Sequence, residues 1–99
     1  MTDPRDGFDA LIHAPTRLAI VSLLAPLEWA EFKFVRDQVG LSDSALSKQI
    51  TTLEDAGYVA VRKEFVGKKP RTSVQLTAEG RAALEGHVAA LRAIVGGML

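Results

Sequence analysis

The chain has 99 residues, a length that suits one domain of ordinary size and excludes a large two-domain enzyme. It contains no cysteine, which removes disulfide frameworks, thiolate zinc sites, iron–sulfur clusters and cysteine redox chemistry together. Its 12 basic and 12 acidic residues balance to a net charge of zero, which on its face argues against nucleic acid as a partner, because nucleic-acid-binding domains are often strongly basic.

The first residues, MTDPRDG, show no apolar core behind a basic segment, so no signal peptide is expected and a cytoplasmic location follows. Phe8, Leu11 and Ile12 have the i, i+3, i+4 spacing of a short amphipathic helix, and Pro15 is placed to open the next one. That second helix is predicted from Pro15 to about Ala25, with a stop near Pro26. Its near-uniform apolarity, around Leu18, Val21 and Leu24, marks it as central. The run Leu18 to Leu27 is the longest strongly apolar stretch, but its ten residues fall short of the roughly 20 that span a membrane.

A loop is predicted around Glu28 to Glu31. Phe32, Val35 and Val39 then define a third, short helix closed by Gly40. Ser42 is a good N-cap for a fourth helix, in which Leu46, Ile50 and Leu53 recur on one face and which Gly57 ends. Only Gly40, Leu41 and Ser42 separate the two, the connection length of a helix-turn-helix.

The period then changes to two. Tyr58 to Phe65 and Thr72 to Leu76 alternate as antiparallel strands, and the intervening VGKKPR is predicted as an exposed hairpin tip. Here the zero net charge resolves into a separation: Arg62, Lys63, Lys68, Lys69 and Arg71 stand against Glu64 alone, whereas Asp3, Asp6, Asp9, Glu28, Glu31 and Asp37 lie earlier in the chain. Thr77 caps a last helix with Glu79 in its first turn. Leu84, Val88, Leu91, Val95 and Met98 follow at a coiled-coil-like spacing, interrupted by Gly86, which costs about 1 kcal/mol relative to Ala in a helix interior. Gly96 and Gly97 are expected to fray its end.

From Gly40 to Leu84 the sequence resembles the DNA-reading half of a winged helix-turn-helix transcriptional regulator of the broad MarR and ArsR group, and most of all its small stand-alone members. Three features carry the resemblance in order: SxxxLSxxIxxLExxGYV from Ser42, the GKKPRT wing, and LTxEG opening the last helix. With HAPTRLAIVSLLA and FKFVRDQ upstream it covers roughly residues 13 to 92. The elements read above follow in the order α-α-α-α-β-β-α, a mainly α fold with a small β-hairpin that the length makes one domain over residues 1–99, and the resemblance implies that this fold is a winged helix-turn-helix. It also implies a transcriptional repressor. The wing has no acidic residue in GKKPRT, unlike many MarR wings, and metal sensing of the ArsR kind is not expected from a chain whose only metal-binding nitrogens of that class are His13 and His87.

Reading bases requires short or flexible polar side chains on one helix face while the opposite face is fastened to a core. With Leu46, Ile50 and Leu53 inward, the candidates are Ser44, Ser47, Lys48, Gln49, Thr51 and Thr52, with Lys68, Lys69 and Arg71 on the wing. The alternative for the helix is an ordinary solvated face, and for the wing a soluble hairpin tip. Double-stranded DNA and a second copy of the chain are the expected partners. The candidate dimer contact is Phe8, Leu11, Ile12, Leu84, Val88, Leu91 and Val95, on terminal helices at about 5–13 and 78–95, unless these residues simply cover the monomer core.

Trp29 and Phe32 are expected to pack in the core, and Phe34, off the main stripe, is the better ligand or partner candidate. His13 and His87 would have to converge across the terminal helices to form a metal or pH-sensitive site. No nucleophile elbow, phosphate loop or metal motif points to an enzyme, and no cofactor is implied; a small-molecule effector is left open without identity. The competing function is a winged-helix protein-interaction module that does not read DNA sequence.

Overall fold

Asp9 starts the helical part of the chain. Its carboxylate accepts hydrogen bonds from the Leu11 N–H at 2.9 Å and the Ile12 N–H at 3.1 Å, so the first helix, α1, runs only over Ala10–His13. This is shorter than the helix predicted to include Phe8, because the cap falls one residue after that side chain. Ala14 is extended (φ −57°, ψ 125°), as a residue before proline is driven to be, and Pro15 occupies the first turn of α2, Pro15–Leu24. The computed structural model describes residues 3–97, and its remaining elements are β1 (Ala30–Glu31), α3 (Phe32–Val39), α4 (Asp43–Asp55), β2 (Val59–Val66), β3 (Lys69–Leu76) and α5 (Ala78–Gly96).

The helices enclose one core. Ile20, Val21 and Leu24 of α2, Val35 of α3, and Leu46, Ile50 and Leu53 of α4 meet Val59, Val74 and Leu76 from the sheet. Gly40 ends α3 in the left-handed conformation (φ 70°), its N–H reaching the Arg36 carbonyl at 2.9 Å. Two residues later Ser42 caps α4, its hydroxyl accepting from the Ala45 N–H at 3.1 Å. Caps of this kind contribute about 0.5 to 2 kcal/mol each and fix where each helix stops. The predicted helix-turn-helix connection is therefore present as read.

The sheet has three strands in the order β1-β3-β2, all antiparallel. β1 lies where the sequence predicted a loop: Ala30 pairs with Val74 and Glu31 with Ser73. The hairpin register runs from Val59 opposite Leu76 to Val66 opposite Lys69, so the turn is only Gly67 and Lys68. Gly67, with φ 65°, supplies the positive φ such a tight connection needs. The broad VGKKPR tip expected from the sequence is thus corrected: Val66, Lys69, Pro70 and Arg71 belong to the strands. Pro70 is tolerated because β1 pairs with β3 only at Ser73 and Val74, leaving the strand an open edge farther out.

α5 is tied to the base of the hairpin. The Thr77 N–H donates to the Tyr58 carbonyl at 3.0 Å, while the Thr77 hydroxyl donates to the Gly57 carbonyl at 2.7 Å and accepts from the Gly80 N–H at 2.9 Å. Gly80 has to be glycine, because a Cβ there would overlap the Tyr58 carbonyl oxygen. The molecule is elongated, 57 × 24 × 21 Å, and its 15.1 Å radius of gyration exceeds the about 13 Å usual for a chain of this length. Little burial accompanies the hairpin beyond Arg62 or α5 beyond Leu91, and these parts extend past the core.

Candidate nucleic-acid interface

With Leu46, Ile50 and Leu53 turned into the core, the opposite face of α4 is open to solvent. Ser44, Ser47, Lys48, Thr51 and Thr52 line one shallow depression along it. Their hydroxyls differ in what they have left to offer. Thr52 donates its proton to the Lys48 carbonyl at 3.1 Å, so its oxygen remains as an acceptor. Ser44 lies 3.4 Å from the capping hydroxyl of Ser42. At the helix start, Arg36 bridges to Asp43 at 2.8 Å and to Asp37 at 3.0 Å, which offsets the acidic charge closest to this face.

Gln49 does not join the row. It is half-buried, and its Oε1 accepts from Arg17 Nη1 at 3.1 Å, while Arg17 Nε donates to the Leu11 carbonyl at 2.6 Å. Gln49 belongs to a brace between α2 and α4, three residues from Leu46 on the inward flank. In this structure it therefore stands apart from the exposed row of base-reading candidates.

The wing cations divide in the same way. Lys68 and Lys69 are exposed at the turn, and no ion pair among the described residues includes them. Arg71 is held instead: its Nη2 lies 2.9 Å from Glu64 and its Nη1 3.4 Å from Glu31. The hydrogen bond from Arg71 lowers the Glu64 carboxyl below its ordinary pKa, and the same bond raises that of Arg71. Arg62 approaches Glu64 at 3.7 Å and lies over the Trp29 ring, 4.3 Å from its centroid. Arg62 and Arg71 thus brace the wing, and of the three wing candidates Arg71 is the one held in ion pairs among the described residues.

Two residues emerge that sequence reasoning missed. Lys63 lines a cleft with Ser47, Thr51 and Glu54 of α4, together with Val61 and Thr72, so helix and wing border one cleft whose lining holds a carboxylate as well as the lysine. Phe65, 74% exposed, stands opposite Pro70 near the turn. The signal for both was the alternation Val59, Val61, Lys63, Phe65, which carries the core-facing side of β2 out past the end of the core.

The proposed pairing surface also splits. Ile12 is fully buried and Leu84 nearly so, both within the monomer core, which corrects their assignment to a contact between copies. Leu11 and Val88 are half-buried against that core, Leu91 is half-buried, and Phe8 and Val95 are exposed. Met98 lies outside the described residues. Phe32 packs on the core as expected, Trp29 is half-buried beneath Arg62, and Phe34 is exposed on α3. Among the described residues, no group of three or more His, Cys, Asp or Glu is placed to hold a metal ion, and no helix is long and apolar enough to cross a membrane.

The fold and the sequence have known counterparts. A transcriptional regulator homologue from Pyrococcus horikoshii OT3 is 28% identical, with a TM-score of 0.82 over 89% of this chain and 87% of that one. An uncharacterized protein of Methanocaldococcus jannaschii is 27% identical over 78 residues, 79% of this chain and 85% of the relative. The M. tuberculosis regulator MosR, solved in complex with DNA, shares the fold at 19% identity and a TM-score of 0.66, over 84% of this chain and 59% of its own. Residues 16–95, from the start of α2 almost to the end of α5, match the model of the winged helix DNA-binding domain, and the chain belongs to that family.

Proposed function

We propose that the chain is a sequence-specific, double-stranded-DNA-binding transcriptional regulator, acting in the cytoplasm as a homodimer and repressing by occluding a promoter. One observation carries the reading: Ser47 and Thr51 of α4 and Lys63 of the wing line a single cleft, so a duplex laid along the helix meets the cationic hairpin at the same time. Lys48 and Thr51 are assigned to base edges in the major groove, and Ser44, Ser47 and Thr52 to bases or phosphates. Lys63, Lys68 and Lys69 are assigned to phosphates, with Phe65 against the groove wall. The cationic excess of the wing is offset partly ahead of α4 and partly on α4 itself, where Asp43, Glu54 and Asp55 stand against Lys48, and the resulting zero net charge restrains binding to arbitrary DNA.

A single recognition helix reads only a few base pairs, and two-fold pairing doubles the footprint. Phe8, Leu11, Val88, Leu91 and Val95 supply the surface for it, since their apolar side chains are exposed or only half covered along α5 and the segment before it. Repression by occlusion requires nothing beyond that footprint.

The test is selection of bound sequences from random duplex DNA with the full chain, followed by affinity measurements across salt concentrations. A two-fold symmetric motif with half-site centres about 10 base pairs apart is expected. If the folded protein enriches no motif, the proposal fails, and a module that binds other proteins takes its place.

A further inference from the structure

The residues just before α1 are docked on α5 through a pair of histidines. His87, in the middle of α5, has no exposed surface, and its Nδ1 accepts the Asp9 backbone N–H at 2.9 Å. That bond leaves Nδ1 without a proton, so the hydrogen-bond network places the ring proton of neutral His87 on Nε2. Nε2 lies 3.2 Å from His13 Nδ1, which must therefore accept. Phe8 covers both rings, with centroids 4.8 Å away in each case. Sequence reasoning required His13 and His87 to converge before either could matter, and across 74 residues they do.

A proton added to His87 has no place in this arrangement. It would sit on Nδ1, pointing at the Asp9 N–H, with a second N–H already directed at His13. The titratable and charged groups facing His87 are Asp9, ahead of α1, and His13, on α1; beyond Asp9 stands Tyr58, from the turn before β2, with Glu79 of α5 next to it. Burial and His13 lower the His87 pKa, and the Asp9 carboxylate opposes them without reversing the direction. That carboxylate is itself occupied, accepting from the Tyr58 hydroxyl and from the Leu11 and Ile12 N–H groups.

We propose that Phe8, Asp9 and His13 form a latch on α5 that is closed while His87 is neutral and released when His87 takes up a proton. Release frees the Asp9 N–H, uncovers the Phe8 contact and loosens α1 from α5, altering the surface on which the proposed pairing rests. The latch itself depends only on contacts within one chain. It can fail while the DNA-binding reading stands, and the reverse.

The experiment uses the full chain without DNA. Long-range nitrogen–proton spectra of the histidine rings at about pH 7.5 read the tautomers, with the His87 proton expected on Nε2. Amide exchange, corrected for its intrinsic pH dependence, is then followed down to about pH 5. Protection of the Asp9 amide should fall by at least about tenfold, the change expected one pH unit below the ordinary histidine pKa of about 6.5 that the released ring regains, while the Ile50 amide keeps its protection. His87→Asn keeps an acceptor for the Asp9 N–H but does not titrate, and its Asp9 protection should change less than about twofold over the same range. A His87 proton on Nδ1 at neutral pH, or equal Asp9 protection at both pH values in the unaltered chain, overturns the proposal. Both of these readouts come from the unaltered chain, so the test survives if the variant does not fold.

Discussion

Replacing Lys68 and Lys69 together by alanine separates phosphate binding from everything else the wing does. Both side chains are exposed beside the turn, and neither is in an ion pair among the described residues, so the substitution should leave folding within about 0.5 kcal/mol of the unaltered chain. Each phosphate contact contributes about 0.9 to the slope of log affinity against log salt, so two lysines per chain contribute about 1.8 and a dimer about 3.6. Between roughly 50 and 200 mM salt, the variant should lose about 150-fold less affinity than the unaltered protein if the dimer binds, or about 12-fold less if one chain binds alone. Fluorescence anisotropy on the selected duplex at four salt concentrations, with circular-dichroism melts of both proteins, measures this. Arg71→Ala is the control. Its guanidinium already faces Glu64 and Glu31, so its slope should stay within about 0.5 of the unaltered chain. An unchanged slope in the Lys68/Lys69 variant, with folding intact, would refute the assignment of these lysines to phosphate.

Three further outcomes follow from the geometry. Thr77→Ala removes both the α5 cap and the bond to the Gly57 carbonyl; it should destabilise by about 1 to 2 kcal/mol in urea unfolding, with Thr77→Ser recovering most of the loss. Gln49→Ala should leave the motif selected from random DNA unchanged, because this side chain braces α2 to α4; loss of preference at a single base position would restore it to the reading face. Tyr58→Phe removes the hydrogen bond to Asp9, which raises the tyrosine pKa; burial adds to the rise. A group raised in the folded state contributes stability below its unfolded pKa of about 10 and loses it as pH rises through the folded value. Melting temperature should therefore fall at alkaline pH in the unaltered chain and fall less in the variant. At neutral pH the variant should be about 1 kcal/mol less stable, the partly exposed bond being weakened by solvent.

The features legible in the sequence are those set by local chemistry. Ser42, Thr77 and Gly40 act within four residues of their own position, and each ends or begins a helix where its side chain or backbone preference predicts. The burial of Leu46, Ile50 and Leu53 followed from one helical period. What the sequence concealed depends on distant partners. β1 is two residues long, too short to alternate, and exists because the edge of β3 is there to pair with it. Gln49 meets Arg17 across 32 residues, and Arg71 meets Glu31 across 40. Counting charges in the wing could not show that two of its cations are occupied with carboxylates, nor that the alternation of β2 would carry Lys63 toward α4.

The bonds that join Thr77 to Gly57 and Tyr58 have a mechanical consequence. They clamp the first turn of α5 to the root of the hairpin, and the close approach at Gly80 leaves no slack between them. On the proposed reading, a wing tilted by contact with DNA would carry the start of α5 with it as one lever. In a pair of chains joined along α5, the angle of each wing and the distance between the two reading heads then become a single variable, and the spacing of the DNA half-sites is the quantity that would report it.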